Sequence, residues 1–216
     1  MTHIVWVYIL DTIVKDMCLH AMKTKTLNYL SDKLFFSVAD LAEAVDIKSE
    51  SAQVLCSRYV KNETFLRLKK NFYVLAGNWP RYNREDYFKV ANYLQVPSYV
   101  SCVTALSFYG ITTQVPRDWY DSISVKRSIR FKAEGIAFNY YKLKKDYYFG
   151  FVRHGDLFIA TKEKAFVDTA HLCAFGKYSM DWHACDLETL DKRLVADIMV
   201  IFPEKTQRTI RGLCRI

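Results

Sequence analysis

The chain has 216 residues, of which 51% are hydrophobic and 25% are charged. This composition excludes a disordered chain, and the length suits one large domain or two modest ones, at about 100 to 200 residues per domain. The formal net charge of +8 favours polyanionic partners without identifying them.

The cysteines are scattered, at positions 18, 56, 102, 173, 185 and 214. They form no CxxC pair and no disulfide-rich spacing. We therefore expect buried or free thiols in a reducing compartment, which predicts a cytoplasmic protein.

Residues 1–22 form an N-terminal extension of uncertain status. Its apolar run, Ile4–Leu10, is much shorter than the roughly 20 residues that span a bilayer. No positive charge precedes the run and no small-residue cleavage site follows it, so a signal peptide and a membrane partner are not expected. Either the run packs on the body as a strand or helix, or translation begins at Met17 or Met22.

The segment that follows predicts a helix-turn-helix. A short helix is expected over residues 24–31, with Leu27 and Leu30 facing inward. Ser37 and Asp40 then have the spacing of a capping box, and apolar residues at positions 38, 41, 42 and 45 form one helix face. After a short break, Ser49 is expected to cap a second helix with apolar positions 52, 55, 56 and 59, which is typical of the motif.

The opposite face of this second helix has the residue types that recognition helices use. Gln and Arg hydrogen-bond to base edges, whereas Lys, Ser and Arg hold phosphates. An ordinary solvated helix face has a similar composition. The candidate DNA-binding residues here are Lys48, Ser49, Ser51, Gln53, Ser57, Arg58 and Lys61.

A basic β-hairpin is predicted next. Residues 64–68 and 72–75 are strand-prone, and the turn between them, Lys69-Lys70-Asn71, ends in a residue that tolerates the left-handed conformation. A basic hairpin after a helix-turn-helix is a wing, which would hold a flanking phosphate stretch. Residues 23–77 are therefore predicted to form a winged helix-turn-helix DNA-binding domain, although some winged helices bind only proteins.

Gly, Asn and Pro at positions 77–83 indicate a connection, and residues 84–216 predict a mixed α/β domain, so the fold class is α+β. Helices are expected over 84–94, over 101–109 with Gly110 at the C-terminal end, over 162–172, and over 187–201 with Asp186 as cap. Strand-prone runs at 122–125, 137–141, 147–151 and 157–160, separated by polar gaps, predict an antiparallel-type sheet. The tail from Pro203 is basic.

Three stretches of this second domain resemble the AbiEi-type antitoxins: PSYVSCVTALSFYGI, YYFGF and IATKEKAFVDTAHL, in that order. The stretch RLKKNFYVL is also similar to the family's wing, with Asn71 in place of the usual Gly, which is a mild departure because Asn can adopt a positive φ. The resemblance covers roughly residues 23 to 175. The matching positions are Tyr99, Ser101, Thr104, Ala105, Leu106, Gly110, Phe149, Gly150, Glu163, Lys164, Ala165 and Asp168.

The resemblance implies a transcriptional repressor that binds its own promoter DNA. It also implies that the second domain counteracts a nucleotidyltransferase-like toxin of a type IV toxin–antitoxin pair. The family includes stand-alone regulators without a known toxin. No cofactor and no enzymatic activity are expected, and small modules of this kind bind DNA as monomers or as dimers assembled on half-sites. A protein-interaction module and a metal-dependent nuclease stay open as alternatives.

Lys164 and Asp168 are spaced i, i+4, which we expect to give a surface ion pair worth a few tenths of a kcal/mol rather than acid–base chemistry. No P-loop, GxGxxG or GxSxG motif occurs, so a cofactor enzyme has no support.

Three further sets of residues have a functional and a structural interpretation. His171, Cys173, His183 and Cys185 could hold zinc, or their thiols could pack as small hydrophobes. Asp181, Asp186, Glu188 and Asp191 suit either a nuclease metal site or helix caps and a solvated face. The aromatic residues at 138–151, beside Lys142, Lys144 and Lys145, could stack single-stranded nucleic acid or simply pack a sheet.

Overall fold

The computed structural model describes residue 26 and residues 28–214. The predicted extension 1–22, with Ile4–Leu10, Met17 and Met22, lies outside the described residues, as do Cys18 and Leu27. The chain divides into two compact units between Tyr82 and Asn83, within the stretch predicted to connect two domains. No helix among the described residues has the length and apolar character needed to cross a membrane.

The first unit consists of short helices and a two-stranded hairpin. Residues 28–31 are helical, followed by α1 (Val38–Val45) and α2 (Ser49–Lys61). Strand β1 (Phe65–Lys69) pairs antiparallel with β2 (Phe72–Leu75). A 3-10 turn, Trp79–Arg81, ends the unit.

The start of α1 follows from its sequence. The Asp40 N–H donates to Ser37 Oγ at 3.2 Å, and the Ser37 N–H donates to the Asp40 carboxylate at 2.8 Å, so the predicted capping box is confirmed. The prediction for α2 is wrong at its first residue. Lys48 is the N-cap, without a side-chain hydrogen bond, and Ser49 is already helical.

Aromatic and aliphatic side chains from every element form the core of the first unit. Phe36 exchanges two backbone hydrogen bonds with Tyr73, so it extends the hairpin by a one-residue third strand. Its ring lies edge-on to Phe65, with centroids 4.7 Å apart. The buried cluster is Leu30, Phe36, Leu41, Ala52, Cys56, Phe65, Tyr73 and Leu75.

The hairpin turn is attached to α1 through one side chain. Asn71 has a φ of 57°, the left-handed conformation expected of it. Its Oδ1 accepts a hydrogen bond from the Val38 N–H at 2.8 Å. Val38 is the first residue of α1, where backbone N–H groups have no partner within the helix.

The second unit is built on a six-stranded sheet with the order β5-β6-β4-β3-β8-β7. Strands β4 and β6 are parallel, as are β3 and β8, and the other neighbours are antiparallel. The strands are β3 (Ser98–Val100), β4 (Trp119–Ser124), β5 (Ile129–Ala133), β6 (Ile136–Lys142), β7 (Phe151–His154) and β8 (Leu157–Ala160).

The predicted antiparallel-type sheet is therefore wrong, and the sheet is mixed. Two strands that were not predicted, β3 and β5, change its topology; β3 is short and buried on both faces, whereas the residues of β5 do alternate between apolar and polar. Because β5 forms a hairpin with β6 at the edge of the sheet, β6 runs parallel to β4. Strand β3 is followed by a helix and not by a hairpin turn. In the sheet it lies between β4 and β8.

Five helices accompany the sheet: α3 (Arg84–Leu94), α4 (Cys102–Phe108), α5 (Lys162–Ala174), α6 (Lys192–Met199) and α7 (Glu204–Cys214). Successive side chains of a strand point to opposite faces. On β4, Tyr120 stacks on Tyr87 of α3. Asp121 and Ile123 face the other side together with Tyr99, the neighbour of Ile123 on β3, whose hydroxyl reaches α5.

Two predicted elements differ in the structure. The helix expected over 187–201 is broken, because the Asp191 carboxylate accepts hydrogen bonds from the N–H groups of Arg193 and Leu194 and starts α6 there. The strand expected over 147–151 begins only at Phe151. Tyr147 lies in a 3-10 turn and stacks on Phe202, with ring centroids 4.4 Å apart.

Substitution of Asn71 separates its two contributions to the turn. Asn71→Ala is expected to lower the free energy of unfolding by about 2 kcal/mol, because it loses both the tolerance of a positive φ and the hydrogen bond to Val38. Asn71→Gly keeps the backbone freedom and should lose about 1 kcal/mol or less. Chemical denaturation of the two variants measures the difference, and equal losses would contradict a role for the backbone conformation.

Candidate functional site

The outer face of α2 presents polar side chains to solvent. The inner face is buried through Ala52 and Cys56, with Tyr59 packed on Phe65 at 4.7 Å between ring centroids. The predicted DNA-binding residues all lie on the exposed side of α2 or on the hairpin turn, and only Lys69 is half-buried. The exposed ones are Lys48, Ser49, Ser51, Gln53, Ser57, Arg58, Lys61, Lys70 and Asn71.

The cations of this face form no ion pair with any carboxylate of residues 26 and 28–214; they are Lys48, Arg58 and Lys61. The Ser57 hydroxyl instead donates to the Gln53 carbonyl at 3.0 Å, within the helix. The outer face of α2 is thus hydrated and cationic at its C-terminal end.

One apolar residue on this face was absent from the sequence prediction. The side chain of Val54 is 60% exposed, between the exposed residues Gln53 and Ser57. The helical period that marks the inward-facing positions 52, 55 and 56 already leaves position 54 outside the core. An exposed methyl group on such a face can contact the methyl group of thymine.

In the second unit, several residues that match the AbiEi-type pattern meet at a buried ion pair. The Lys164 ammonium donates a hydrogen bond to Asp168 Oδ1, and neither side chain is exposed to solvent. Asp168 Oδ2 accepts from the hydroxyls of Tyr99 and Ser101, each at 2.9 Å. Lys164 also donates to the Tyr99 hydroxyl at 2.9 Å. We call these four residues the Lys164–Asp168 network.

The predicted surface ion pair between Lys164 and Asp168 is therefore wrong. The i, i+4 spacing is a property of the helix alone and does not show which side of α5 faces the sheet. Burial raises the pKa of the Asp168 carboxyl, and the Lys164 ammonium with the hydroxyls of Ser101 and Tyr99 opposes that rise.

Aromatic rings and a glycine enclose the Lys164 side chain. Its ammonium lies 5.4 Å from the ring centroid of Tyr99 and 5.2 Å from that of Phe149. Gly150 has a φ of +70°, and a Cβ at this position would lie 2.9 Å from Cγ of Lys164. Phe149 and Gly150, the Phe-Gly pair of the resemblance, therefore both lie against Lys164. The close approach at Gly150 is possible only for a residue without a side chain.

The remaining matching positions have structural contacts. Ala105 and Leu106 are fully buried in α4, and Gly110 follows the end of that helix with a φ of 70°. The buried Glu163 accepts a hydrogen bond from the Asp191 N–H at 3.3 Å, which ties α5 to the start of α6. Thr104 accepts from the Asp121 N–H at 2.9 Å.

A third buried carboxylate, after Asp168 and Glu163, lies on β4 and was not singled out from the sequence. Asp121 accepts hydrogen bonds from Asn139 Nδ2 at 2.9 Å and from the Tyr178 hydroxyl at 2.6 Å. Burial raises its pKa, and these donors with the charge of Arg130 oppose the rise. Cys102 lies near both Asp121 and Asp168. Burial raises the pKa of its thiol well above the usual value, so the thiol stays protonated.

The alternative metal sites do not assemble. Among residues 26 and 28–214, no three His, Cys, Asp or Glu side chains lie close enough to hold a metal ion together. His171 Nδ1 is hydrogen-bonded to Thr206 Oγ1 at 2.8 Å. In the predicted acidic set Asp181, Asp186 and Asp191 cap helical turns, and Glu188 pairs with Lys192 at 3.0 Å. Cys173, His183 and Cys185 are the other members of the predicted zinc set, and they belong to no such group among the described residues either.

No known family model and no curated protein sequence matches the chain. The fold is similar to the crystal structure of the RV2827C protein from Mycobacterium tuberculosis, with a TM-score of 0.60. The similarity covers 90% of this chain and 76% of that protein, at 10% sequence identity. It therefore supports the α+β fold and carries no information on function.

The Lys164–Asp168 network predicts a non-additive mutant cycle. Lys164→Met should lower the free energy of unfolding by about 3–5 kcal/mol, because it leaves the Asp168 carboxylate buried without its cation. The double variant Lys164→Met/Asp168→Asn should lose less than the single variant, since no buried charge remains. Denaturant unfolding of the wild type, both single variants and the double variant measures the coupling, and simple additivity would contradict it.

The contact between Gly150 and Lys164 predicts a difference between two glycines. Gly155 also has a positive φ, of 58°, but a Cβ there meets nothing within 4 Å. Gly155→Ala should therefore cost about 1 kcal/mol for its backbone conformation alone. Gly150→Ala should cost at least about 2 kcal/mol, because the new methyl group also displaces Lys164. Thermal and denaturant unfolding compare them, and equal losses would show that the approach to Lys164 is unimportant.

Proposed function

We propose that the chain is a sequence-specific DNA-binding repressor whose first unit is a winged helix-turn-helix. The observation that carries the proposal is the outer face of α2, where polar side chains are exposed and the cations form no ion pair with a carboxylate of residues 26 and 28–214, while the inner face is buried. A helix of this kind can enter the major groove, which is about 12 Å wide.

The order of elements in the first unit supports the proposal. A helical segment is followed by the one-residue strand at Phe36, the helices α1 and α2, and the hairpin β1–β2. This order of helix, strand, helix, helix and hairpin is that of winged helices. The basic turn at Lys69–Asn71 is the wing, and its attachment to Val38 orients it.

Four side chains of the outer face and two of the wing have proposed roles. Arg58 and Gln53 bond to base edges, and Val54 contacts a thymine methyl group. Lys61 and the wing lysines, Lys69 and Lys70, neutralise phosphates, which contributes affinity and orientation without sequence preference. Two copies on half-sites one helical turn apart, roughly 34 Å, would give the length of operator that a repressor needs.

The proposal for the second unit rests on the resemblance to AbiEi-type antitoxins. On that basis we propose that the target is the promoter of the chain's own operon and that residues 84–216 counteract a nucleotidyltransferase-like toxin. The enclosure of all four side chains of the Lys164–Asp168 network supports a structural role for these matching residues over a catalytic one. A stand-alone regulator is the alternative, and co-expression with the neighbouring gene distinguishes them: rescue from toxicity supports the pair.

A gel-shift series with DNA from upstream of the gene tests the first proposal. Arg58→Ala should lose about 1–3 kcal/mol of preference for that DNA over random DNA, because a base contact is removed. Lys69→Ala/Lys70→Ala should weaken binding to all sequences and reduce the salt slope by about 2, because two phosphate contacts are removed.

The charge-matched control is Lys126→Ala/Lys132→Ala, which removes two exposed lysines of the second unit. It should keep the preference for the promoter. If the wild type itself binds weakly and without regard to sequence, the first unit is a protein-interaction scaffold and the repressor proposal is wrong.

A further inference from the structure

A small cavity in the second unit has a strongly cationic lining. Its volume is about 190 Å³, and three lysines from two segments of the chain line it, without any carboxylate among the lining residues. Lys142 ends β6, Lys144 lies in the loop that follows, and Lys177 lies beyond α5. The full lining is Lys142, Leu143, Lys144, Tyr147, His171, Phe175, Lys177 and Pro203.

The charge of these lysines is not balanced by ion pairs among residues 83–214. Lys142, Lys144 and Lys177 form no ion pair with any carboxylate in the described part of the chain. A further cation is close by, since the Lys205 ammonium lies 5.3 Å from the ring centroid of Phe175. Like charges around one cavity repel each other, and an anion between them would convert that repulsion into attraction.

The imidazole at the cavity responds to this field. His171 is half-buried, and its pKa is lowered to about 4, first by burial and then by the charges of Lys177, Lys164 and Lys144. The ring is therefore neutral at pH 7, so it adds a hydrogen-bonding group without adding charge. Rings from Tyr147 and Phe175 flank it and reduce its access to water.

We propose that this cavity binds the phosphoryl group of a small soluble molecule. Three ammonium groups offer enough donors for the several oxygens of a phosphate, and Lys binds phosphate as a point charge. Tyr147, Phe175 and Pro203 line the cavity beside the three lysines, which are exposed to solvent. The volume is below the 300–1,000 Å³ of drug-sized sites, which suits a phosphate with few further atoms.

A concave cavity favours such a molecule over the backbone of a nucleic acid. Stacking of single-stranded nucleic acid on the aromatic residues at 138–151 has no support from their packing, because Tyr147 already stacks on Phe202 and Tyr140 is buried. The cavity shares no residue with the outer face of α2. The phosphoryl-binding proposal can therefore be wrong while the DNA-binding proposal stands.

NMR of the histidine side chains tests the cavity, with the His171 signal assigned through His171→Gln. Inorganic phosphate, pyrophosphate and adenosine monophosphate are titrated at constant ionic strength. A bound phosphoryl group should raise the pKa of His171 by about one unit or more, because its charge opposes that of the lysines. Lys144→Ala/Lys177→Ala should weaken binding at least tenfold, whereas Lys126→Ala/Lys132→Ala, with the same net charge, should change it less than twofold.

The three probes identify the source of the phosphoryl group. Tighter binding of the monophosphate than of phosphate indicates a nucleotide, and equal binding indicates a phosphate or its simplest esters; both support the proposal. Equal weakening by the two double variants, or an equal response of His171 to chloride, would overturn it. It is also overturned if the cavity variant loses only DNA affinity in gel shifts, since the lysines then contact a nucleic-acid backbone.

Discussion

The second unit depends on the ion pair between Lys164 and Asp168, because both charges are fully enclosed. Removing two charges from water costs several kcal/mol per ion unless each is surrounded by partners. The partners here come from β3, the turn after it and α5, so the network ties these three elements together. The rings of Tyr99 and Phe149 and the bare backbone of Gly150 complete the enclosure.

Buried and exposed charges have different roles in this structure. In the second unit, buried carboxylates are satisfied internally, at Asp168 by Lys164 and at Asp121 by Asn139 and Tyr178. In the first unit, the cations of α2 have no carboxylate partner within the described residues. Internal charge balance specifies a fold, whereas unbalanced surface charge is available to a polyanion. The DNA-binding proposal and the phosphoryl cavity both rest on charge of this second kind.

Local rules were sufficient for the capping box at Ser37, the left-handed Asn71 and the glycine after α4, because each depends on atoms a few residues apart. They were insufficient where distant residues compete. The run at 147–151 has high strand propensity, yet Tyr147 packs on Phe202 from the far end of the chain. The pairing of β4 with β6 likewise depends on β5; the alternation of apolar and polar residues in β5 marks a strand but does not show with which strand it pairs.

The sequence by itself determined the α+β class, most helices, and which side of α2 carries its polar residues, since helical periodicity separates apolar from polar positions without knowledge of the fold. Only the tertiary structure decided that Lys164 and Asp168 are buried, that the sheet is mixed, and that Lys142, Lys144 and Lys177 share a cavity. The reason is physical: burial and the meeting of charges depend on contacts between residues far apart in the chain, which no local spacing records.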